Sequence, residues 1–265
     1  MKAFFGKRLR DKLNFQALRK LDREELIYQV MPKLILELME KYFRIVVEGI
    51  ENIPRRGKTL IVANHSGFTG FDAVMIGYEV FKKKHRILRP LVHNLWFSPQ
   101  WKVVATSVGF EIASKEKGIE LLRHNRISLI FPEGEEGNFK PFSKRYQLQE
   151  FKRGFVRMAM ETQAPIIPTY VIGAEESNIT LSQLSLVKHL YGALVPIPLN
   201  VLPLPAKWKI GFLPPIDMSK YTKEDASNRE LVHKISRDVQ CSIQDRINSE
   251  LKKRKFVFFA DRWHG

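Results

Sequence analysis

Cysteine is nearly absent: Cys241 is the one thiol in 265 residues. No internal disulfide can form, and no cysteine-based zinc site is available. Cys241 falls within a predicted helix and reads as a packing residue rather than a nucleophile. Long apolar runs are missing too, and no stretch reaches the ~20 residues that a membrane-spanning helix needs. Residues 1–20 contain seven cations but only scattered apolar positions, so no secretory signal is expected. The seven histidines lack ligand spacing, which leaves no metal reading. Repeats and low-complexity tracts are absent. Acidic residues are in deficit, with 28 Asp and Glu against 44 Lys and Arg and a formal net charge of +16. That charge fits nucleic acid, an anionic membrane surface or a polyanionic small substrate. The first of these finds no helix-turn-helix, zinc-finger or RNP-like pattern to support it. The expected location is therefore peripheral, at the cytoplasmic face of a membrane.

The length is sufficient for one full core with a small appendage. Residues 3–21 have helical spacing, with Phe5, Leu9 and Leu13 between Lys7, Arg8, Arg10 and Lys12. A basic amphipathic helix of this kind either lies in a membrane interface or packs on its own domain with a solvated basic face. Asp22 is placed to cap a second helix, from about Arg23 to Tyr42, which Pro32 should kink. Residues 1–43 thus form an expected helical hairpin before a domain over 44–265. In that domain apolar strands alternate with helices as far as Val171. The pattern predicts an α/β fold with a central mixed, largely parallel sheet flanked by helices.

Two stretches carry the chemistry. The strand Thr59–Ala63 runs into Asn64, His65, Ser66 and two glycines, then Asp72 at a predicted helix N-cap. A carboxylate on one imidazole nitrogen would leave the other free to take a proton. The strand Ile127–Phe131 runs into Pro132, Glu133 and Gly134. Polar residues at two strand ends point to one rim of the sheet, where α/β proteins place their sites.

Together these stretches resemble the glycerolipid acyltransferase superfamily, of the 1-acylglycerol-3-phosphate acyltransferase type. Four blocks carry the likeness in order: Asn64-His65 with Asp72, Gly109 to Lys115, Phe131-Pro132-Glu133-Gly134, and Ala164 to Pro168. The run from Lys140-Pro141-Phe142 to Phe155 is similar to a lysophospholipid-acyltransferase-like subgroup. This chain differs in three places. Six residues separate His65 from Asp72 where the family usually has four. Lys115 stands where Arg is frequent, and Glu136 stands where a further Arg is common.

The resemblance implies O-acyl transfer from acyl-CoA or acyl carrier protein to a lipid hydroxyl, with no cofactor. His65 would be the general base and Asp72 its orienting partner. An oxyanion donor is required, and no sequence pattern marks it. Glu133 and Gly134 fall in the acceptor-binding block. Lys115, Lys140 and Arg153, with Lys144, Arg145 and Lys152 beside them, are candidates for phosphate on the acceptor or on coenzyme A. The preferred acceptor is a lysophospholipid at a membrane surface; Glu136 keeps a neutral alcohol or diacylglycerol as the alternative. Ser66 beside His65 raises a serine hydrolase, but no Gly-x-Ser-x-Gly elbow is present. A basic surface binder without catalysis is the reading from another class, for which the His65 and Glu133 blocks would have no use.

Three further segments are read from composition alone. Leu95, Trp96, Phe97 and Trp101 form an aromatic cluster, expected in the core or along an acyl pocket. Leu194–Pro205 is too proline-rich for a helix or inner strand; it is an apolar loop, either buried beneath the sheet or exposed as a membrane-contacting lip or acyl-chain wall, with burial as the default. Lys252 to Phe259 reads either as an interfacial anchor for anionic phospholipid or as a segment docked on the domain.

Overall fold

The computed structural model describes residues 31–67, 69–184, 195–258 and 263. The chain divides into two compact units, Met1–Tyr42 and Phe43–Gly265. In the first, the described part is helix α1 (Met31–Tyr42). The expected basic helix at residues 3–21 and its Asp22 neighbour lie outside the described residues.

The second unit is built on a seven-stranded sheet. In chain order its elements begin with β1 (Val46–Glu48), β2 (Thr59–Ala63), α2 (Phe71–Lys84), β3 (Leu88–Val92), α3 (Lys102–Ser107) and β4 (Glu111–Ile112). They continue with α4 (Lys115–Arg123), β5 (Ile127–Ile130), α5 (Gly134–Asn138), α6 (Gly154–Thr162), β6 (Ile166–Ile172) and α7 (Ala174–Ser177). Next come β7 (Thr180–Leu184), β8 (Val195–Pro198), β9 (Lys209–Phe212) and α8 (Arg229–Lys253). The spatial order is β1-β9-β6-β2-β5-β3-β4. β6, β2, β5, β3 and β4 are mutually parallel, whereas β9 is antiparallel to β6 and carries β1 with it.

This order makes a switch point. From β2 the chain crosses toward β3, and from its neighbour β5 it crosses the other way to β6. Right-handed crossovers in opposite directions put α2 and α6 on opposite faces of the sheet. A crevice then opens beyond the carboxyl ends of β2 and β5. The two chemistry-bearing stretches leave those ends.

Strands buried on both faces read as continuous apolar runs, and β2 and β6 are buried along their whole length. One face packs Leu60, Val62, Ile166 and Tyr170 against Phe155, Val156 and Ala159 of α6. The stripe Ile235, Val239, Ile243 and Ile247 of α8 joins the same core, as its four-residue spacing predicts. Lys209 lies in this buried region with its Nζ 2.5 Å from Glu250 and 2.6 Å from Glu48.

Two expectations change, and for a third the structure selects one of two alternatives. The aromatic segment around Trp96 is not core: Leu95 and Trp101 are more than half exposed, and of α3 only Ala105 is buried. The proline-rich segment is not buried either. Val195–Pro198 forms a two-stranded antiparallel ribbon with β7, where both strands are edges and proline costs no inner ladder bond. Beyond it Leu199, Val201 and Leu202 are 61, 72 and 83% exposed. The tail after α8 is docked at its start, because Arg254 pairs with Glu176 at 2.7 Å and Lys207 donates its N–H to Val257. Arg254 is thereby withdrawn from any headgroup; Phe259 lies outside the described residues.

Candidate active site

His65 follows β2 directly. Its Nδ1 lies 2.7 Å from Oδ2 of Asp72, which is fully buried. The same oxygen accepts the Ser66 N–H at 2.9 Å, and Oδ1 accepts the Ala73 N–H at 2.8 Å. A carboxylate only accepts, so Nδ1 carries the hydrogen and Nε2 is the basic nitrogen. The longer turn between His65 and Asp72 therefore still closes the pair. It does so by a different local device from the one expected. Asp72 is not the cap but the second residue of α2, and the cap position is Gly70 in the left-handed region at φ 69°. A Cβ at Gly70 would stand 2.9 Å from the Trp96 ring, so the bend needs glycine on both counts.

Neighbouring elements hold the histidine from three sides. Its ring stacks on Phe131, with centroids 4.1 Å apart and planes 13° apart. Its backbone N–H donates to Glu133 Oε1 at 2.9 Å. The side-chain amide of Asn64 donates to the carbonyl of Val171 and accepts the Val171 N–H, at 3.0 and 2.7 Å, tying the loop to β6. Ser66 is a turn residue: its N–H serves Asp72, and its buried Oγ has no hydrogen-bond partner among the described residues. Nothing joins that hydroxyl to His65, as a serine nucleophile would require.

Glu133 is buried, and its second oxygen accepts the Gln149 N–H at 2.7 Å and faces Lys140 Nζ at 3.5 Å. It thus braces the histidine loop from beneath. Gly137 belongs to this arrangement, because a Cβ there would lie 2.3 Å from the Cβ of Glu133. Lys140, expected at a phosphate, is buried between two carboxylates, with Glu175 Oε1 at 3.2 Å. Burial alone would draw its pKa down, but Glu175 and Glu133 raise it further, and the net shift is upward. Glu175 in turn accepts the Tyr146 N–H at 3.1 Å, and the Tyr146 hydroxyl donates to Glu176. Glu175 was not visible in the sequence, since no spacing relates it to Glu133.

Burial raises the Glu175 carboxyl to about pH 7 against the pull of Lys140. The sign of the consequence is fixed. A carboxyl with a higher pKa in the folded state binds more protons there, so its contribution is fully present below the unfolded value of about 4.5. That contribution is lost as pH rises through about 7. Urea unfolding between pH 5 and 8 is expected to show a decline with pH in the wild-type protein that Glu175→Gln flattens. An unchanged slope in the variant would remove Glu175 as its source.

The remaining candidates separate. Gly134 opens α5 at φ 62°, next to Lys152, whose Nζ pairs with Glu136 at 3.5 Å. Lys152, Arg153 and Arg157 line one groove of about 660 Å³ together with Glu133 and Gln149. Arg153 also pairs with Glu150 at 2.8 Å. Arg157 was missed, although its position four residues after Arg153 on a helix signals a shared face. Lys115 is directed elsewhere, with its Nζ 2.5 Å from Glu161 at the end of α6. Lys144 and Arg145 are exposed beside Phe142, over whose ring the Arg145 guanidinium lies at 4.4 Å. Among the described residues no cluster of His, Cys, Asp and Glu could hold a metal ion. Nor is any described helix long and apolar enough to cross a membrane.

The acyltransferase family matches residues 44–172, which spans β1 to β6 and so includes His65, Asp72 and Glu133. An uncharacterized protein of Mycobacterium tuberculosis is 35% identical over 244 residues, covering 87% of this chain and 68% of its own. A 1-acyl-sn-glycerol-3-phosphate acyltransferase of Borreliella burgdorferi is 28% identical over 132 residues, 47% of this chain and 50% of its own. The fold is shared with the crystal structure of the 1-acyl-sn-glycerophosphate acyltransferase of Thermotoga maritima. That match has a TM-score of 0.55 at 19% identity and covers 91% of this chain and 88% of that one.

Proposed function

The chain belongs to the acyltransferase family, and from that premise we propose that it moves an acyl group from a thioester to a lysophospholipid hydroxyl, as in 1-acylglycerol-3-phosphate. The observation that carries this reading is the 2.7 Å contact of His65 Nδ1 with the buried Asp72. The donor is acyl-CoA or acyl carrier protein.

The steps follow from the pair. Nε2 of His65 takes the proton of the acceptor hydroxyl as its oxygen bonds to the thioester carbonyl carbon. Asp72 stabilises the resulting imidazolium and prevents ring rotation. When the tetrahedral intermediate collapses, the C–S bond breaks and Nε2 returns the proton to the leaving sulfur. The products are an ester and a free thiol, and the histidine is regenerated. Phe131 and Glu133 act through His65 by fixing its ring and its backbone.

The groove lined by Lys152, Arg153 and Arg157 is proposed for the phosphate; Glu133, Glu136 and Glu150 line it as well, so the phosphate would replace Glu136 and Glu150 as partners of Lys152 and Arg153. Charge-assisted bonds of this kind contribute roughly 1.5–3 kcal/mol, so Arg153→Ala and Arg157→Ala should each raise KM for lysophosphatidate about tenfold. A neutral alcohol acceptor should show no such change. One observation favours the neutral acceptor as a second reading: Glu136 occupies a position where the family commonly has Arg, and it engages Lys152. A screen of phosphorylated and neutral acceptors with labelled acyl-CoA, followed by separation of the lipid products, decides between them. Product from neutral acceptors alone would overturn the lysophospholipid reading.

A further inference from the structure

The rim opposite His65 holds cations that the chemistry does not use. There the amino ends of β6, β2 and β5, neighbours in the sheet, border a cavity of about 510 Å³ lined by Lys58, Arg123, Asn125, Thr222 and Lys223. The lining includes one carboxylate, Glu161, which Lys115 already neutralises at 2.5 Å. Lys58 and His65 stand at opposite ends of β2, seven residues apart, so roughly 20 Å separates the cavity from the base. Lys58, Arg123 and Lys223 form no ion pair with any described residue; Glu224, the neighbour of Lys223, faces solvent. Nor are these cations needed to close the helix ends beside them. The Arg126 N–H donates to the Leu121 carbonyl of α4 at 2.9 Å, and the Ala164 N–H to the Ala159 carbonyl of α6 at 3.0 Å. The same segments enclose a fourth cation, Arg86, buried just before β3. It donates to the carbonyls of Pro54, Gly57 and Asn125 and to the Thr59 hydroxyl, all uncharged oxygens. Asn125 lines the cavity and Gly57 adjoins Lys58. Burial draws the Arg86 pKa down, and among the described residues no carboxylate pulls it back.

We propose that this cavity binds a soluble phosphorylated anion, at a site separate from the catalytic centre. Charge sets the class of ligand. Three cations without a countercharge surround one cavity and a fourth is buried behind their backbone, so a ligand with two or more negative charges relieves their mutual repulsion. A phosphate or diphosphate group supplies that charge, with enough acceptor oxygens to meet lysine and guanidinium together. The walls exclude a lipid body: of the lining residues only Met160 is apolar, and an acyl chain finds no surface here. The volume lies within the range of small-molecule sites, so the phosphate can carry a polar body of modest size. At the catalytic rim, by contrast, Lys152 pairs with Glu136 and Arg153 with Glu150. An anion entering the opposite cavity displaces no such partner.

The probe is inorganic pyrophosphate, titrated calorimetrically into the full chain carrying Arg153→Ala and Arg157→Ala, so that the groove at the catalytic rim contributes little. Binding should persist in this background. Adding Lys58→Gln or Arg123→Gln should weaken it about tenfold in each case, the effect of removing one charge-assisted partner. Both side chains are at least partly exposed and form no ion pair, so the variants should fold, which urea unfolding checks. In the wild-type background the same two substitutions should leave transfer to a soluble acceptor unchanged, since neither residue touches the catalytic centre. Arg237→Gln, an equal change of charge on the exposed side of α8, should leave pyrophosphate affinity as it was. No heat of binding in the starting background would overturn the inference, and so would unchanged affinity in both cavity variants. An equal loss in Arg237→Gln would also overturn it, because the attraction would then be that of a basic surface at large. Vesicles containing phosphatidate make the second arm. Vesicle binding that the cavity variants abolish, with no binding of pyrophosphate, would make a lipid headgroup the ligand and overturn the soluble one.

Discussion

His65→Ala is expected to lower acyl transfer by about 10²–10⁴-fold, the range a positioned general base contributes. The effect should be kinetic rather than structural. The His65 contribution to the fold lies largely in its backbone N–H, which donates to Glu133 and survives the substitution. The ring is partly exposed, and its stacking on Phe131 is a modest loss. The melting temperature and vesicle binding should therefore change little. Asp72→Asn makes the complementary test. Oδ2 accepts from both His65 and Ser66, and Oδ1 accepts from Ala73. An asparagine must turn its NH₂ toward one of these donors. Turned toward Nδ1, it forces the proton onto Nε2 and removes the base; turned the other way, it opposes the Ala73 N–H. Turnover should fall about as strongly as for the histidine variant, with a measurable loss of stability in addition. Near-normal turnover of purified His65→Ala on a soluble acceptor would remove His65 from the mechanism.

The parts of the site that lie on strand ends were legible in the sequence, because a fully buried strand announces itself by an unbroken apolar run and the next residues must fall on the rim. Thr59–Ala63 and Ile127–Phe131 gave His65 and Glu133 in that way. The long helix α8 was legible for a similar reason, through four branched residues at spacing four. What sequence could not supply was the partner of each charge. Lys140 follows Glu133 by seven residues and looks like any cation in a polar loop. Only the fold brings Glu175, from beyond β6, to 3.2 Å of it. Exposure failed for a different reason. Burial was the default reading of apolar composition for the aromatic and proline-rich segments, yet Leu95, Trp101, Val201 and Leu202 are each more than half exposed. The one-way nature of the hydrophobic rule shows here: buried positions are apolar, but apolar positions need not be buried.

Lys140→Met should be the most destabilising single change near the site, by about 3–5 kcal/mol, because it leaves buried carboxylates facing each other without their cation. Lys140 is 5% exposed and sits 3.5 Å from Glu133 and 3.2 Å from Glu175. With the ammonium gone, Glu175 can take a proton, as burial already favours this carboxyl in its neutral form. Glu133 accepts the N–H groups of His65 and Gln149, so a disturbance of its carboxylate reaches the histidine loop directly. The histidine loop should then loosen, and acyl transfer should fall even under conditions where the variant remains folded. Stability is read by urea unfolding at pH 6 and 8, and turnover on a soluble acceptor. The deficit should be larger at pH 8, where Glu175 is more fully ionised. Adding Glu175→Leu to Lys140→Met should recover part of the stability by removing one of the uncompensated charges. Wild-type stability in Lys140→Met, or no recovery in the double variant, would show that Lys140 does not act by neutralising this pair. Lys140→Ala would confound the test with a cavity, and methionine is preferred because it fills most of the same volume.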